Sequence, residues 1–278
     1  MTDGNGRDGA LGAIAARGVL LVGCGRMGSA LLRGWIAAGV PAGRVRVVEP
    51  APSDWLRDSG AVLEGPWPEA PAAAVLAVKP QVMGEALPVL AGLGAGIPVV
   101  SIAAGTTLAA LERALGAGRP VVRAMPNTPA AIGRGITAIV GNAAAGEAEM
   151  ALAEALMEAG GEVVRLPHEG MMDAVTALSG SGPAYVFHLI EAMAAAGEAE
   201  GLPAELALRL ARATVAGAGA LAAETGEAPA RLREAVTSPG GTTQAGLAVL
   251  MGELPDLMRR TVAAAAARGR DLGREGGG

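Results

Sequence analysis

The stretch Gly23-Cys24-Gly25-Arg26-Met27-Gly28 constrains this chain more than any other. It follows the apolar run Val19-Leu20-Leu21-Val22 and leads into Ser29-Ala30-Leu31-Leu32, so a G-x-G-x-x-G pattern stands between a strand and a helix start. In that order the first glycine makes a tight turn, the second lets the backbone approach a pyrophosphate, and the third lets helix and strand pack closely. The unpaired N–H groups of the helix start then face the phosphates. In a chain with 43 glycines the spacing alone is a weak signal. Glu49 strengthens it: it closes the run Val45-Arg46-Val47-Val48, where the fingerprint places an acidic residue about 20 positions on. The implied ligand is a dinucleotide.

At 278 residues the chain exceeds one small core, and domains cluster near ~100–150 residues. The expected division is a loose leader at 1–17, a dinucleotide-binding domain at 18–166 and a helical substrate and dimerisation domain at 167–278. Hydrophobic residues make up 51% but aromatics only 2%, so the interior is built from small and aliphatic side chains. A net charge of −5 with no basic run argues against a nucleic-acid binder. Cys24 is the only cysteine, which excludes an internal disulfide and fits a reduced compartment. The first 17 residues are Gly-rich and lack an apolar region of signal-peptide length, so a cytoplasmic location is expected. Ala86 to Leu111 is uncharged, yet Pro98, several glycines, Ser101, Thr106 and Thr107 break it into elements too short to cross a membrane.

Short apolar runs predict strands at Val45–Glu49, Ala74–Val78, Pro98–Ile102, Val121–Ala124, Ile136–Val140 and Glu162–Arg165. Continuous rather than alternating apolar character is what a parallel sheet covered on both faces produces. A piece at Ala61–Leu63 is confined by the Gly65, Pro66 and Pro68 that follow. Helices are predicted over 53–58, 81–90, 107–115 and 148–159, the third capped by Thr107. The fold class is α/β: a doubly wound, Rossmann-type parallel sheet followed by an all-α C-terminal domain. Beyond Pro167 helices are expected at 170–178, 183–200, 204–224, 230–236, 243–252 and 255–270. Their alanine- and glycine-lined faces predict close packing and a homo-oligomer of at least two chains.

Ligands of open parallel sheets lie outside the carboxyl ends of the strands. Loops carrying Val78-Lys79-Pro80, Ala103-Ala104-Gly105 and Asn127-Thr128 are therefore expected beside the reactive end of the cofactor. Lys79 is the chain's only lysine; it is read as positioning cofactor rather than moving protons. Arg26 is read as facing a phosphate or as a solvated side chain, and His188 as a packed histidine. The two histidines and scattered carboxylates show no metal-ligand spacing, so no metal is expected. Two further loops, Leu178-Ser179-Gly180-Ser181-Gly182-Pro183 and Thr237-Ser238-Pro239-Gly240-Gly241-Thr242-Thr243, place small residues and hydroxyls ahead of helices, a geometry suited to a carboxylate.

Together Val22–Gly28, Ala77–Pro80, Ser101–Gly105, Arg123–Pro129, Leu178–Tyr185 and Ser238–Thr243 resemble the motifs of pyrroline-5-carboxylate reductases, from about Val19 to the last helix. The resemblance implies hydride transfer from NADPH or NADH to a cyclic imine, 1-pyrroline-5-carboxylate, giving L-proline. It implies cofactor binding by Gly23, Gly25, Arg26, Met27, Gly28, Val78, Lys79, Pro80, Ala103, Ala104, Gly105 and Asn127; Glu49 joins them from the glycine fingerprint and departs from the small polar or basic residues that NADPH-favouring members usually place after the second strand. Substrate binding falls to Ser181, Ser238, Gly240, Gly241 and Thr242, with a partner subunit sharing in the site. Thr243 matches the threonine placed at the imine nitrogen, where it orients or relays a proton. The resemblance also implies a homodimer, extended to a pentamer of dimers, with no nucleic-acid or membrane partner.

Two other classes compete with that reading. A related imine reductase or β-hydroxyacid dehydrogenase pairs the same nucleotide domain with helices, but usually relies on a lysine or aspartate there, and this helical region has no lysine. A non-catalytic dinucleotide-binding scaffold would have no use for the Ser238–Thr243 anchor. Between the cofactors, Glu49 would accept hydrogen bonds from a ribose 2′-OH and repel a 2′-phosphate. Pro50, Ala51 and Pro52 add no positive charge, leaving Ser53, Arg57 and Arg44 as the candidates to offset it, so the sequence leans toward NADH provided Glu49 faces the adenosine.

Overall fold

The computed structural model describes residues 4–65, 70–90 and 92–275. It forms two compact units, Met1–Gly180 with Ala265–Gly278, and Ser181–Ala264. Unit 1 opens with α1 (Gly4–Arg17), then β1 (Val19–Val22), α2 (Arg26–Ala37), β2 (Val45–Val48), α3 (Asp54–Asp58), β3 (Ala73–Leu76), α4 (Met83–Leu90) and β4 (Val99–Ser101). It continues through α5 (Leu108–Leu115), β5 (Val121–Met125), β6 (Gly135–Gly141), α6 (Glu147–Met157), β7 (Gly161–Arg165) and α7 (Met172–Val175). Unit 2 holds α8 (Gly182–Ala199), α9 (Ala204–Thr225), α10 (Pro229–Ala235) and the first part of α11 (Thr242–Glu275).

The seven strands make one sheet in the order β2-β1-β3-β4-β5-β6-β7. Alternate residues of β1 feed opposite cores: Val19 and Leu21 pack with Leu31, Leu32, Trp35 and Leu156, while Leu20 and Val22 pack with Met83, Leu90, Leu108 and Leu111. Burial on both faces is why these strands read as unbroken apolar runs. Trp35 also donates its indole N–H to the Leu156 carbonyl at 2.8 Å, tying α2 to α6.

Four expectations are corrected. The sheet is not wholly parallel: β5 and β6 pair antiparallel, with Arg123 opposite Val140. Their connection, 126–134, contains only a 3-10 turn, too short for the crossover that a parallel pair needs. The supposed loose leader is helical over its described part, with Ile14 wholly buried and Arg17 donating to the carbonyls of Ala70 (3.1 Å) and Pro71 (2.9 Å). The piece near Ala61–Leu63 makes a single bridge, Val62 to Arg46; Pro66 and Pro68 lie outside the described residues. The last two expected helices are one, α11, with Pro255 inside. An interior proline costs a helix about 3 kcal/mol, and the high helix propensity of the run Ala263–Ala267 downstream works in the other direction.

In unit 2, α8 and α9 pack through small residues: a Cβ on Gly197 would lie 3.3 Å from the Cβ of Ala207. By length and composition α9 is apolar enough to cross a membrane, though it carries Glu205, Arg209, Arg212 and Glu224.

Candidate functional site

β1 to β5 all run the same way, and their registers align Val22 with Val48 and Leu76, Leu76 with Ser101, and Ser101 with Arg123. Their carboxyl ends therefore form one edge, from which the expected cofactor loops emerge. At its centre the three glycines of the turn act as the spacing predicts. Gly23 has φ +89°, donates to the Val48 carbonyl at 2.8 Å, and would place a Cβ 2.7 Å from the Ala77 carbonyl oxygen. A Cβ on Gly28 would lie 2.5 Å from the Gly23 carbonyl oxygen, so only glycine lets α2 pack this closely. Around Gly25 a Cβ would meet nothing within 4 Å, leaving open space at the start of α2.

No side chain caps that start. The first-turn N–H groups of a helix have no partner within it, so those of Arg26, Met27 and Gly28 are available to an anion, with Gly25 and Arg26 exposed beside them. These residues fit a dinucleotide pyrophosphate.

Glu49 braces the turn. Its Oε2 accepts the Cys24 N–H at 2.7 Å and its Oε1 accepts the Ala51 N–H at 3.1 Å. Ser29 Oγ donates to the Cys24 carbonyl at 2.8 Å. Cys24 itself is buried, which pushes its thiol pKa up; the Glu49 charge adds to the rise, while Ser29 and Arg33 oppose it. Nearby, the Arg33 guanidinium stacks 3.6 Å from the centre of the Trp55 ring.

The remaining expected cofactor residues sit on the same edge in different settings. Val78 packs its Cγ1 over Gly23, Lys79 is exposed, and Pro80 opens a 3-10 turn ending at Val82. Ala103 is buried, Ala104 exposed, and Gly105 (φ +75°) lies against Leu272 of α11. Asn127 ties loops together instead of standing free for a ligand. Its Oδ1 accepts the Ile136 N–H at 3.0 Å and its Nδ2 donates to the Ser179 carbonyl at 3.3 Å. Ser179 belongs to a π-helical turn, Thr176–Gly180, whose Gly180 would drive a Cβ to 2.5 Å from the Met125 Cε.

Sequence reasoning passed over a charged cavity of unit 1, about 420 Å³, lined by Thr107, Arg123, Glu169, Asp173, Arg270 and Arg274 among others. Here Glu169 Oε1 accepts from Arg123 Nη1 at 2.7 Å and from the Leu108 N–H at 2.8 Å, so one carboxylate closes an ion pair and caps α5. An arginine inside the apolar strand Val121-Val122-Arg123-Ala124-Met125 was the available signal, because a buried charge demands a partner.

In unit 2, Ser181 precedes α8 with its hydroxyl making no capping bond. Ser238 to Thr243 form a turn ahead of and into α11: Gly240 has φ +71° and Gly241 donates to the Ser238 carbonyl at 3.0 Å. The Gly240 N–H is held by Gln244 Oε1 at 2.6 Å, while Thr242 and Thr243 are exposed. His188 is not packed as expected; it is 82% exposed and lies 3.0 Å from Glu191, because it falls on the outer side of α8 in the single chain.

A doubly wound sheet with a braced glycine turn and an open helix N-terminus, joined to a helical unit, defines a dinucleotide-dependent oxidoreductase. Family models agree in both parts: residues 18–105 match NADP oxidoreductase, coenzyme F420-dependent, and residues 169–272 match pyrroline-5-carboxylate reductase dimerisation. The chain is 48% identical over 204 residues to the pyrroline-5-carboxylate reductase of Synechocystis sp., covering 72% of this chain and 75% of that protein. Its fold matches the pyrroline-5-carboxylate reductase of Coxiella burnetii with a TM-score of 0.85 at 34% identity, covering 91% and 97% of the two chains. It also matches the Plasmodium falciparum pyrroline carboxylate reductase with NADP bound, at TM-score 0.77 and 27% identity, covering 92% and 97%. The chain belongs to the pyrroline-5-carboxylate reductase family.

Proposed function

We propose that this chain reduces 1-pyrroline-5-carboxylate to L-proline, the last step of proline biosynthesis, with NAD(P)H. The observation that carries the reading is the open, uncapped start of α2 beside Gly25, on the sheet edge where four further loops emerge, in a chain of this family. When bound, NAD(P)H supplies the hydride that passes from nicotinamide C4 to the imine carbon. The N–H groups of Arg26, Met27 and Gly28 hold the pyrophosphate, and Val78, Lys79 and the Ala103–Gly105 loop position the cofactor's reactive end.

Ser238, Gly240, Gly241 and Thr242 form the anchor for the substrate carboxylate in the turn and first residue of α11; in the free chain the Gly241 N–H is held by the Ser238 carbonyl and the Gly240 N–H by Gln244, so the substrate must take these over. Ser181 adds a hydroxyl that makes no capping bond. The Thr243 hydroxyl hydrogen-bonds the imine nitrogen; a hydroxyl is a poor acid, so it orients a proton delivered through water. The functional assembly is a homodimer, extended to a pentamer of dimers, in the cytoplasm. In this reading 18–166 is the cofactor domain and 167–278 the substrate and dimerisation domain.

The test is oxidation of NADH and of NADPH, each followed optically with 1-pyrroline-5-carboxylate as substrate and proline as the measured product. Stoichiometric proline is expected. Cofactor binding without any proline formation would overturn the reading in favour of another imine or a scaffold.

A further inference from the structure

We propose that Glu49 and the loop after β2 make the dinucleotide site selective for NADH over NADPH. The inference rests on the glycine turn being the dinucleotide site, and not on the identity of the imine. An adenosine ribose lying over that turn brings its 2′ position to the end of β2, where Glu49 stands. Both carboxylate oxygens of Glu49 are pinned, Oε2 by Cys24 N–H at 2.7 Å and Oε1 by Ala51 N–H at 3.1 Å, so the charge cannot swing away. Each oxygen keeps a second lone pair. The pinned carboxylate can therefore accept a ribose 2′-OH and opposes a 2′-phosphate at the same place.

The loop removes the usual remedy. A 2′-phosphate needs N–H groups or cations, and residues 50–52 offer no free N–H: Pro50 and Pro52 have none, and that of Ala51 is taken by Glu49. Ser53 caps α3, its Oγ accepting the Leu56 N–H at 3.3 Å, and the next residue is another carboxylate, Asp54. Of the cations, Arg44 lies before β2, at the far end of that strand, with its carbonyl against Gly18. Arg33 is stacked on Trp55, and Arg57 follows in the last turn of α3.

The experiment measures dissociation constants of NADH and NADPH by nicotinamide fluorescence, and kcat/KM with each, for the full chain, Glu49→Ser and Glu49→Gln. Gln keeps an acceptor for the Cys24 N–H while losing the charge, so it separates electrostatics from loss of the brace. The expected result is an NADH preference of at least tenfold in the unaltered chain, falling at least tenfold in both variants. Equal or tighter binding of NADPH by the unaltered chain overturns the proposal and points to Arg33 or Arg57 as a phosphate reader. An unchanged ratio in both variants also overturns it, as does the absence of binding of either cofactor. Preferential NADH binding without proline formation would leave it standing while refuting the reductase reading.

Discussion

Glu169 lies 2.7 Å from the Arg123 guanidinium through the same oxygen that caps the start of α5. Arg123 is 7% exposed and Glu169 28%, so the pair is partly shielded from water. Removing one partner of a buried pair leaves an uncompensated charge. Glu169→Ala is expected to lower unfolding free energy by about 2–3 kcal/mol, less than for a fully buried pair. Glu169→Gln, which keeps an acceptor for the Leu108 N–H, should lose less. Urea midpoints of the two variants check both the size and the order.

Alanine at Gly25 and at Gly28 should weaken cofactor binding in both cases but destabilise the fold only at Gly28. The Gly28 Cβ would collide with the Gly23 carbonyl oxygen at 2.5 Å, so Gly28→Ala is expected to destabilise by about 1–3 kcal/mol and to weaken cofactor binding. Gly25→Ala meets open space at φ −68°, so its thermal midpoint should stay within a degree or two. Its methyl group occupies the approach to the pyrophosphate, and cofactor affinity should fall at least tenfold, about 1.4 kcal/mol. Thermal melts with and without cofactor separate the two cases.

Cys24 predicts an alkaline limit. Its folded-state pKa is raised, chiefly by burial, above the ordinary thiol value of 9.0. The folded chain therefore holds that proton more tightly than the unfolded chain does. The resulting stability is fully present below pH 9 and is lost as pH rises through the folded-state value. A stability profile from pH 7 to 10 should fall at its upper end, and Cys24→Ala should remove that part of the fall. At pH 7.5 the native thiol should resist an aromatic disulfide reagent and react only on unfolding.

Gln244 competes for the Gly240 N–H that the substrate carboxylate is proposed to use. Gln244→Ala should lower KM for the imine about two- to tenfold, the worth of one hydrogen bond. Thr243→Val should instead cut kcat roughly 10- to 100-fold, with cofactor affinity unchanged. Steady-state kinetics with cofactor titrations would discard the assigned roles if both variants behaved alike.

Leu250 and Leu254 stand one turn apart on α11 and are 48% and 37% exposed in the single chain. Such exposure is expected where another copy packs. Light scattering should give a multiple of the 27.3 kDa chain mass. Changing both leucines to lysine should reduce that mass, and an unchanged value would place the interface on other helices.

The glycine turn and Glu49 were legible because their spacing carries a backbone requirement. Strand positions were legible because burial on both faces writes apolar runs into the sequence. Strand direction is absent from such runs, although the short connection 126–134 already excluded a parallel β5–β6 pair. Pro255 reads as the first residue of a new helix because its local cost is visible while the continuity of α11 on either side is not. The Cys24 bond of Glu49 and the bridging bonds of Asn127 depend on backbone groups brought from elsewhere, at Cys24, Ile136 and Ser179, whereas the bond from Ala51 to Glu49 is local.

Residues 265–275 belong to unit 1, where Leu272 meets Gly105 and Gly269 meets Asp173, although the whole of unit 2 is encoded before them. On the ribosome the first unit thus waits for the second: its sheet and glycine turn are translated early, but the wall supplied by α11 arrives only after residues 181–264 have emerged. A nascent chain halted at residue 180 would carry the nucleotide-binding turn with the Gly105 loop uncovered, a state open to chaperones and proteases until synthesis resumes.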